Sequence, residues 1–225
     1  GDFRAVFRPE DARLYVTRIP SGADLTTDTI ADMEHALPAA TALLPPAVAF
    51  DVVGYACTSA TTLIGPGRVH AMLQRAARTR QATDPLTAAL SACRALGLER
   101  IGIVSPYIAS VAAPIRHMFE AAGLMVPDTV SFGEATEAKV ARIDPASIAD
   151  AAVHLGRRDD VDGVFLSCTN LQTFEVLPDL EARLGRPVLS SNQVLAWHMA
   201  HLSGTTPHNL PGQLSTAPNR SGTDL

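Results

Sequence analysis

Apolar residues along the chain come in two kinds of run. Short, nearly continuous apolar runs fall at residues 13–19, 52–56, 101–105, 124–132, 163–167 and 187–190. Several are unbroken rather than alternating, as parallel strands covered on both faces are, so these six are predicted strands. Longer amphipathic stretches separate them. Residues 27–44 follow Thr26, a hydroxyl N-cap, and residues 85–96 open on Asp84-Pro85 and stop at Gly97. Residues 109–122 end at Gly123, a helix opening on Asp144-Pro145 runs to about residue 155, and residues 175–184 stop at Gly185. A capping oxygen satisfies the free N–H groups of a first turn, proline needs no N–H there, and glycine accepts the left-handed exit; these set the helix limits. Strand and helix in alternation predict βαβ units, and therefore an α/β fold built on parallel sheets. Residues 204–225 turn to Ser, Thr, Pro, Gly and Asn and predict a polar tail, lying on a surface or partly disordered.

One unit occurs twice. Asp51-Val52-Val53-Gly54-Tyr55-Ala56-Cys57-Thr58-Ser59 and Asp162-Gly163-Val164-Phe165-Leu166-Ser167-Cys168-Thr169-Asn170 share an acidic start, a strand of equal length, and Cys-Thr before a small polar residue. Such a duplication predicts two similar lobes, each sending one turn into a shared cleft. Likeness between any two buried strands is the bland alternative.

Composition narrows the function classes. The 225 residues are 47% hydrophobic and 18% charged, enough for a core, which excludes a disordered or fibrous chain. Eighteen Lys and Arg against 23 Asp and Glu give a net charge of −5 without a block of like charge. Nothing there would condense on a phosphate backbone, so no nucleic-acid partner is predicted. No apolar run nears the roughly 20 residues that span a bilayer, and no charged-then-apolar leader opens the chain; a cytoplasmic protein without a membrane partner is expected. The first residue is Gly1 rather than Met, as in a processed chain or a fragment. Three cysteines are an odd number, which argues against a disulfide framework and makes each thiol worth weighing singly.

In open α/β sheets ligands sit beyond the carboxyl ends of the strands, which is where Cys57 and Cys168 fall. N–H groups and hydroxyls of a Cys-Thr turn suit a carboxylate, and the same donors are expected to lower the thiol pKa. Two facing thiols could work on opposite faces of one small molecule, one taking a proton or attacking carbon, the other supplying a proton. Cys93 lies mid-helix with neither turn nor hydroxyl after it and reads as packing. No metal is predicted: there is no C-x-x-C, and His198 and His201 have no acidic or Cys partner nearby in sequence. Gly65-Pro66-Gly67 is no nucleotide fingerprint but a tight loop before a helix starting near Arg68, and no G-x-S-x-G elbow occurs.

At these residues the chain resembles the Asp/Glu racemase superfamily. The likeness is closer to the branch of maleate cis-trans isomerase, arylmalonate decarboxylase and the ectoine-utilisation isomerase-like proteins. It is carried by Leu14-Tyr15-Val16-Thr17-Arg18-Ile19-Pro20, Val53-Gly54-Tyr55-Ala56-Cys57-Thr58-Ser59, Gly102-Ile103-Val104-Ser105-Pro106-Tyr107, Phe165-Leu166-Ser167-Cys168-Thr169-Asn170-Leu171 and the stretch from Ser190-Ser191-Asn192 to Trp197-His198. The resemblance implies two pseudo-symmetric Rossmann-like lobes around a cofactor-free site for a small carboxylate. It implies that Cys57 and Cys168 are the catalytic pair, that Thr58, Ser59, Thr169 and Asn170 cradle carboxylate oxygens, and that Tyr107 reaches the substrate. Isomerisation or racemisation is favoured over decarboxylation, because arylmalonate decarboxylases keep only the second cysteine; a non-catalytic small-molecule binding module that keeps the cleft is the non-enzymatic alternative. The implied layout is an N-terminal lobe of residues 1–96 joined by 191–203, a C-terminal lobe of 97–190, and the tail. A homo-oligomer is compatible with it.

Two departures stand out. Relatives begin with a strand and a polar turn, whereas Gly1 to Arg8 resembles the helix after that turn, so a first strand is missing from the implied lobe. Maleate isomerases also carry a substrate-binding asparagine within the stretch matching residues 132–142, and this chain has none there. Glu134 and Glu137 in that stretch would repel a dianion and could accept an amino or amidine group; a solvated helix start is the bland account.

Overall fold

The computed structural model describes residues 1–24 and 26–218. Its elements run α1 (Asp2–Val6), α2 (Thr27–Thr41), β1 (Phe50–Gly54), α3 (Thr58–Ile64), α4 (Pro66–Ala76), β2 (Thr79–Thr83), α5 (Pro85–Leu96), β3 (Ile101–Tyr107) and α6 (Ala109–Ala121). There follow β4 (Thr129–Glu134), α7 (Glu137–Val140), α8 (Pro145–Gly156), β5 (Gly163–Leu166), α9 (Leu177–Leu184), β6 (Val188–Ser190), α10 (Ser191–Ser203) and a 3₁₀ turn, Gln213–Thr216. The strands make two parallel sheets, one ordered β4-β3-β5-β6 and one of β1 and β2. The α/β class with parallel sheets is as the alternating pattern predicts.

Every residue of β3 and β5 is buried, which is why those runs are unbroken in apolar character. The main core gathers around them, with Phe119 and Phe165 in ring contact at 5.2 Å, while a smaller cluster of Ile30, Leu37, Val53, Val69 and Leu73 closes β1 between α2 and α4. Asp84 caps α5 as its spacing predicts, accepting from Leu86 N at 2.8 Å and Thr87 N at 2.9 Å.

Four readings are corrected. Residues 13–19 form no strand: Tyr15 and Val16 are exposed, and the segment is tied to α2 by the Thr17 hydroxyl, which donates to Ala40 O at 3.0 Å. The run at 124–132 enters the sheet late, as β4, because Pro127 offers no N–H and the preceding Met125 makes only an isolated bridge to Arg100. β2 was missed, being Thr-Arg-Gln-Ala-Thr with two exposed positions at a sheet edge. The predicted tail is not wholly a surface feature: Leu210 and Leu214 are buried in the main core. Glu181 anchors that segment, its carboxylate accepting from Val188 N at 3.0 Å and Gln213 N at 2.7 Å. Gly212, at φ 76°, passes so close to this carboxylate that a Cβ would lie 2.8 Å from an oxygen. Residues 219–225 of the predicted tail lie outside the described residues.

Candidate active site

The two Cys-Thr units end differently. After β1, Cys57 is the N-cap of α3 in extended conformation, its carbonyl accepting from Thr61 N at 3.2 Å and the Thr61 hydroxyl at 2.7 Å. Gly54, just before it, lets α10 approach β1: a Cβ there would meet Met199 Sδ at 2.8 Å. After β5, Cys168 instead adopts φ 154°, a value L-residues rarely take, and no helix begins until Leu177. Its strained backbone is held by its N–H donating to Ser191 Oγ at 3.0 Å, and Asn170 N–H donates to its sulfur at 3.3 Å.

Each turn is tied to the other half of the site. Thr169 Oγ1 donates to Ala56 O at 3.0 Å, next to Cys57. Thr58 Oγ1 lies 2.9 Å from Ser191 Oγ, the same hydroxyl that receives the Cys168 N–H. Asn192 Nδ2 donates to Thr169 O at 2.9 Å. Thr58 is fully buried, and the hydroxyls of Thr58 and Thr169 both join one turn to the other half of the site. Ser59 is buried with its hydroxyl 3.7 Å from Cys57 Sγ, and the exposed Asn170 donates its side-chain amide to Glu137.

The thiols meet one environment. The Tyr107 hydroxyl neighbours both Cys168 and Ser59 and senses the charge of both sulfurs. The Glu137 carboxylate, half-buried at the start of α7, likewise acts on both sulfurs. Burial pushes the Cys57 thiol up, opposed by donors at Ala60 N–H, Ser59 and the neighbouring Tyr55. Burial pushes Cys168 up to about 12, against donors at Tyr107 and Asn170 N–H, with the charges of Glu137 and Cys57 adding to the rise. The lowered thiol pKa expected from the turn donors is therefore reversed: desolvation outweighs them. Glu137 itself is raised by burial, partly offset by Asn170. Cys93 is wholly buried in α5 and pushed up to about 12, by burial alone in the main.

A cavity of about 930 Å³ opens on this point. Its polar end is walled by Cys57, Glu137, Thr169 and Asn170, and it runs along β1 towards Phe50 with residues 12–19 on the far side. Cys168 is 3% exposed and Tyr107 2%, so both lie buried behind the wall. Among the described residues no three His, Cys, Asp or Glu side chains gather as a metal site. Ser191 and Asn192, which hold the second turn, were not singled out from sequence as site residues. The signal was their place after β6, at the same carboxyl edge of the sheet as Cys168.

Residues 65–213 match the family model described as arylmalonate decarboxylase. The chain belongs to the arylmalonate decarboxylase family. Within it, the arylmalonate decarboxylase of Bordetella bronchiseptica is 33% identical over 131 residues, 58% of this chain and 55% of that one. A maleate isomerase of Geobacillus stearothermophilus is 26% identical over 149 residues, 63% of this chain and 59% of the other. The chain thus spans under two thirds of the length of these curated relatives. Among solved structures, a cysteine-to-serine mutant of Nocardia farcinica maleate cis-trans isomerase with a covalently bound succinylcysteine intermediate shares the fold. Its TM-score is 0.76 over 88% of this chain and 84% of that one, at 21% identity. Relatives of the arylmalonate decarboxylase family are thus enzymes of two kinds, decarboxylases and isomerases, and the Asp/Glu racemase-like branch read from the paired motifs stands. Among the described residues no helix is long and apolar enough to cross a membrane.

Proposed function

We propose that this protein is a cofactor-independent isomerase or racemase acting on the carbon next to a carboxylate of a small substrate, with Cys57 and Cys168 as its reacting thiols. The carrying observation is that the two cysteine turns, each following a strand of a different sheet, are joined through the shared Ser191 hydroxyl and the bond from Thr169 to Ala56 O. Such chemistry needs one thiolate and one thiol. Cys57, with three donors opposing its burial and a place on the cavity wall, takes the thiolate role; Cys168, held near 12, keeps its proton and serves as the acid.

In the isomerase form, the Cys57 sulfur bonds to one carbon of a double bond conjugated with the carboxylate while Cys168 gives its proton to the other carbon. The new single bond rotates. Cys168 then takes the proton back, the double bond re-forms, and Cys57 leaves as thiolate. The covalent intermediate in the Nocardia farcinica enzyme's structure supports this form. In the racemase form one thiolate removes the proton next to the carboxylate and the opposite thiol returns one to the other face. On this reading Thr169 and Asn170, both on the cavity wall, hold carboxylate oxygens with Thr58 and Ser59 behind them, and Tyr107 donates to the Cys168 sulfur.

Cys57→Ala and Cys168→Ala should each lower cis-trans isomerisation or α-proton exchange of a small carboxylate in deuterium oxide by about 1,000-fold or more while circular dichroism stays unchanged. Full activity in either variant would overturn the proposal. The family match favours a second reading, decarboxylation of a disubstituted malonate through Cys168. Release of CO2 that survives Cys57→Ala but not Cys168→Ala would replace the first reading with this one.

A further inference from the structure

Glu137 is out of keeping with a site for a doubly negative ligand. Its backbone N–H donates to Ala23 O at 3.0 Å, and Asp24 bridges Thr136 beside it, so its position at the head of α7 is fixed by the loop that follows residues 12–19. From there its carboxylate forms part of the cavity wall beside Cys57, Thr169 and Asn170. Asn170 Nδ2 is its polar side-chain partner. Among the described residues no Lys, Arg or His pairs with it, although Glu134, three residues earlier, reaches Lys139 at 3.9 Å. Arg13 and Arg18 also line the cavity, both at exposed positions of the 12–19 segment. The Glu137 charge acts against thiolate formation at both cysteines.

We propose that Glu137 selects a substrate carrying a cationic nitrogen beside its carboxylate, a small amino- or amidino-carboxylate rather than a dicarboxylate. The proposal rests on the reading that Cys57 and Cys168 act on a carboxylate substrate, and it names the class. A dicarboxylate would bring a second negative group against Glu137 in a half-buried site, where repulsion is poorly screened. An ammonium or amidinium instead pairs with Glu137 and lets the lone carboxylate turn to Ser59 and the nearby N–H groups. Glu137 thus discriminates by repelling the wrong ligand as well as by pairing with the right one.

The test uses the full chain, iodoacetamide labelling of Cys57 read by mass spectrometry at pH 7.5, and two probes of matched length, β-alanine and succinate. β-Alanine should protect Cys57 at about one tenth of the succinate concentration or less, and Glu137→Gln should shift that ratio about tenfold or more towards succinate. Glu137→Asn provides the same comparison where Glu137→Gln does not fold. Succinate protecting as well as β-alanine in the unaltered protein would overturn the inference while leaving the carboxylate reading in place. A ratio unchanged by both substitutions would do the same. Protection by neither probe in any of the proteins would take down the carboxylate reading itself, and this inference with it.

Discussion

Cys57, Cys168 and Cys93 have the same side chain, and their surroundings give them three different chemistries. Cys57 touches the cavity and is served by three hydrogen-bond donors; Cys168 is buried and faces a carboxylate; Cys93 is sealed in α5. Labelling of the unliganded protein with iodoacetamide at pH 7 should therefore modify Cys57 first, with Cys168 and Cys93 both slow. Below its pKa each thiol's rate should climb with pH by about tenfold per unit, as the thiolate fraction does. Cys168 labelling as fast as Cys57 would contradict this order. The division of three cysteines into a pair and a packer was legible in the sequence, because only two sit in the repeated strand-to-Cys-Thr unit. The direction of the thiol shifts was not. It depends on how much protein closes over the sulfurs, which local donors in a turn do not reveal. The bonds of Thr58 and Thr169 were hidden for the same reason: their hydroxyls look free along the chain, and each meets a group of the other half of the site, Ser191 Oγ and Ala56 O.

At the scale of elements, cap chemistry was the most informative signal and apolar runs the least. The limits of α5 were read to the residue from Asp84-Pro85 and Gly97, whereas residues 13–19 have strand character and reach β1 through Tyr15 and Phe50 without pairing to it. β2 failed in the opposite way, with polar residues on a sheet edge. Asp84 does more than cap. Wholly buried, it also receives the Thr87 hydroxyl at 2.6 Å and lies 2.7 Å from His70 Nε2, binding α4 to α5. Asp84→Ala leaves several donors unpaired and should cost roughly 2–3 kcal/mol, lowering Tm by about 5–10 °C in a calorimetric scan. Asp144→Ala, which removes one exposed bond to Ala146 N at the start of α8, should cost about 1 kcal/mol or less in the same scan. Equal losses would show that Asp84 acts as an ordinary cap.

At the scale of the whole molecule, acid should act through a histidine away from the thiols. His198 Nδ1 lies 2.7 Å from Thr83 Oγ1, so α10 meets the end of β2 there. Burial holds its pKa down to about 4, against the pull of Asp84 and with help from His201, His70 and Arg94. An unfolded chain titrates this group near 6.5 and so binds the proton that the native state refuses. Stability should be level above pH 6.5 as far as this group is concerned, fall as pH drops towards 4, and level again below. Asp11, Asp160 and Asp162, held low mainly by arginine partners, add losses only at lower pH. Urea midpoints measured from pH 7 to 4.5 should decline in the unaltered protein and flatten in His198→Gln; parallel declines would exclude His198 as the cause. That the two cysteine turns would meet was legible from the duplication. What stands between the sheets was not, since Ser191, Asn192 and Glu137 reach the thiols only through the fold.

The Ser191 hydroxyl, shared by Thr58 and the Cys168 N–H, has a consequence for how this protein tolerates change. Substitutions in one cysteine turn are not independent of substitutions in the other, because both lean on a single oxygen. Thr58→Val and Ser191→Ala should each destabilise the protein, yet the double variant should be milder than their sum by about 1 kcal/mol in a double-mutant cycle. Drift at either turn is therefore constrained by the other, and the two halves of the site change together or not at all.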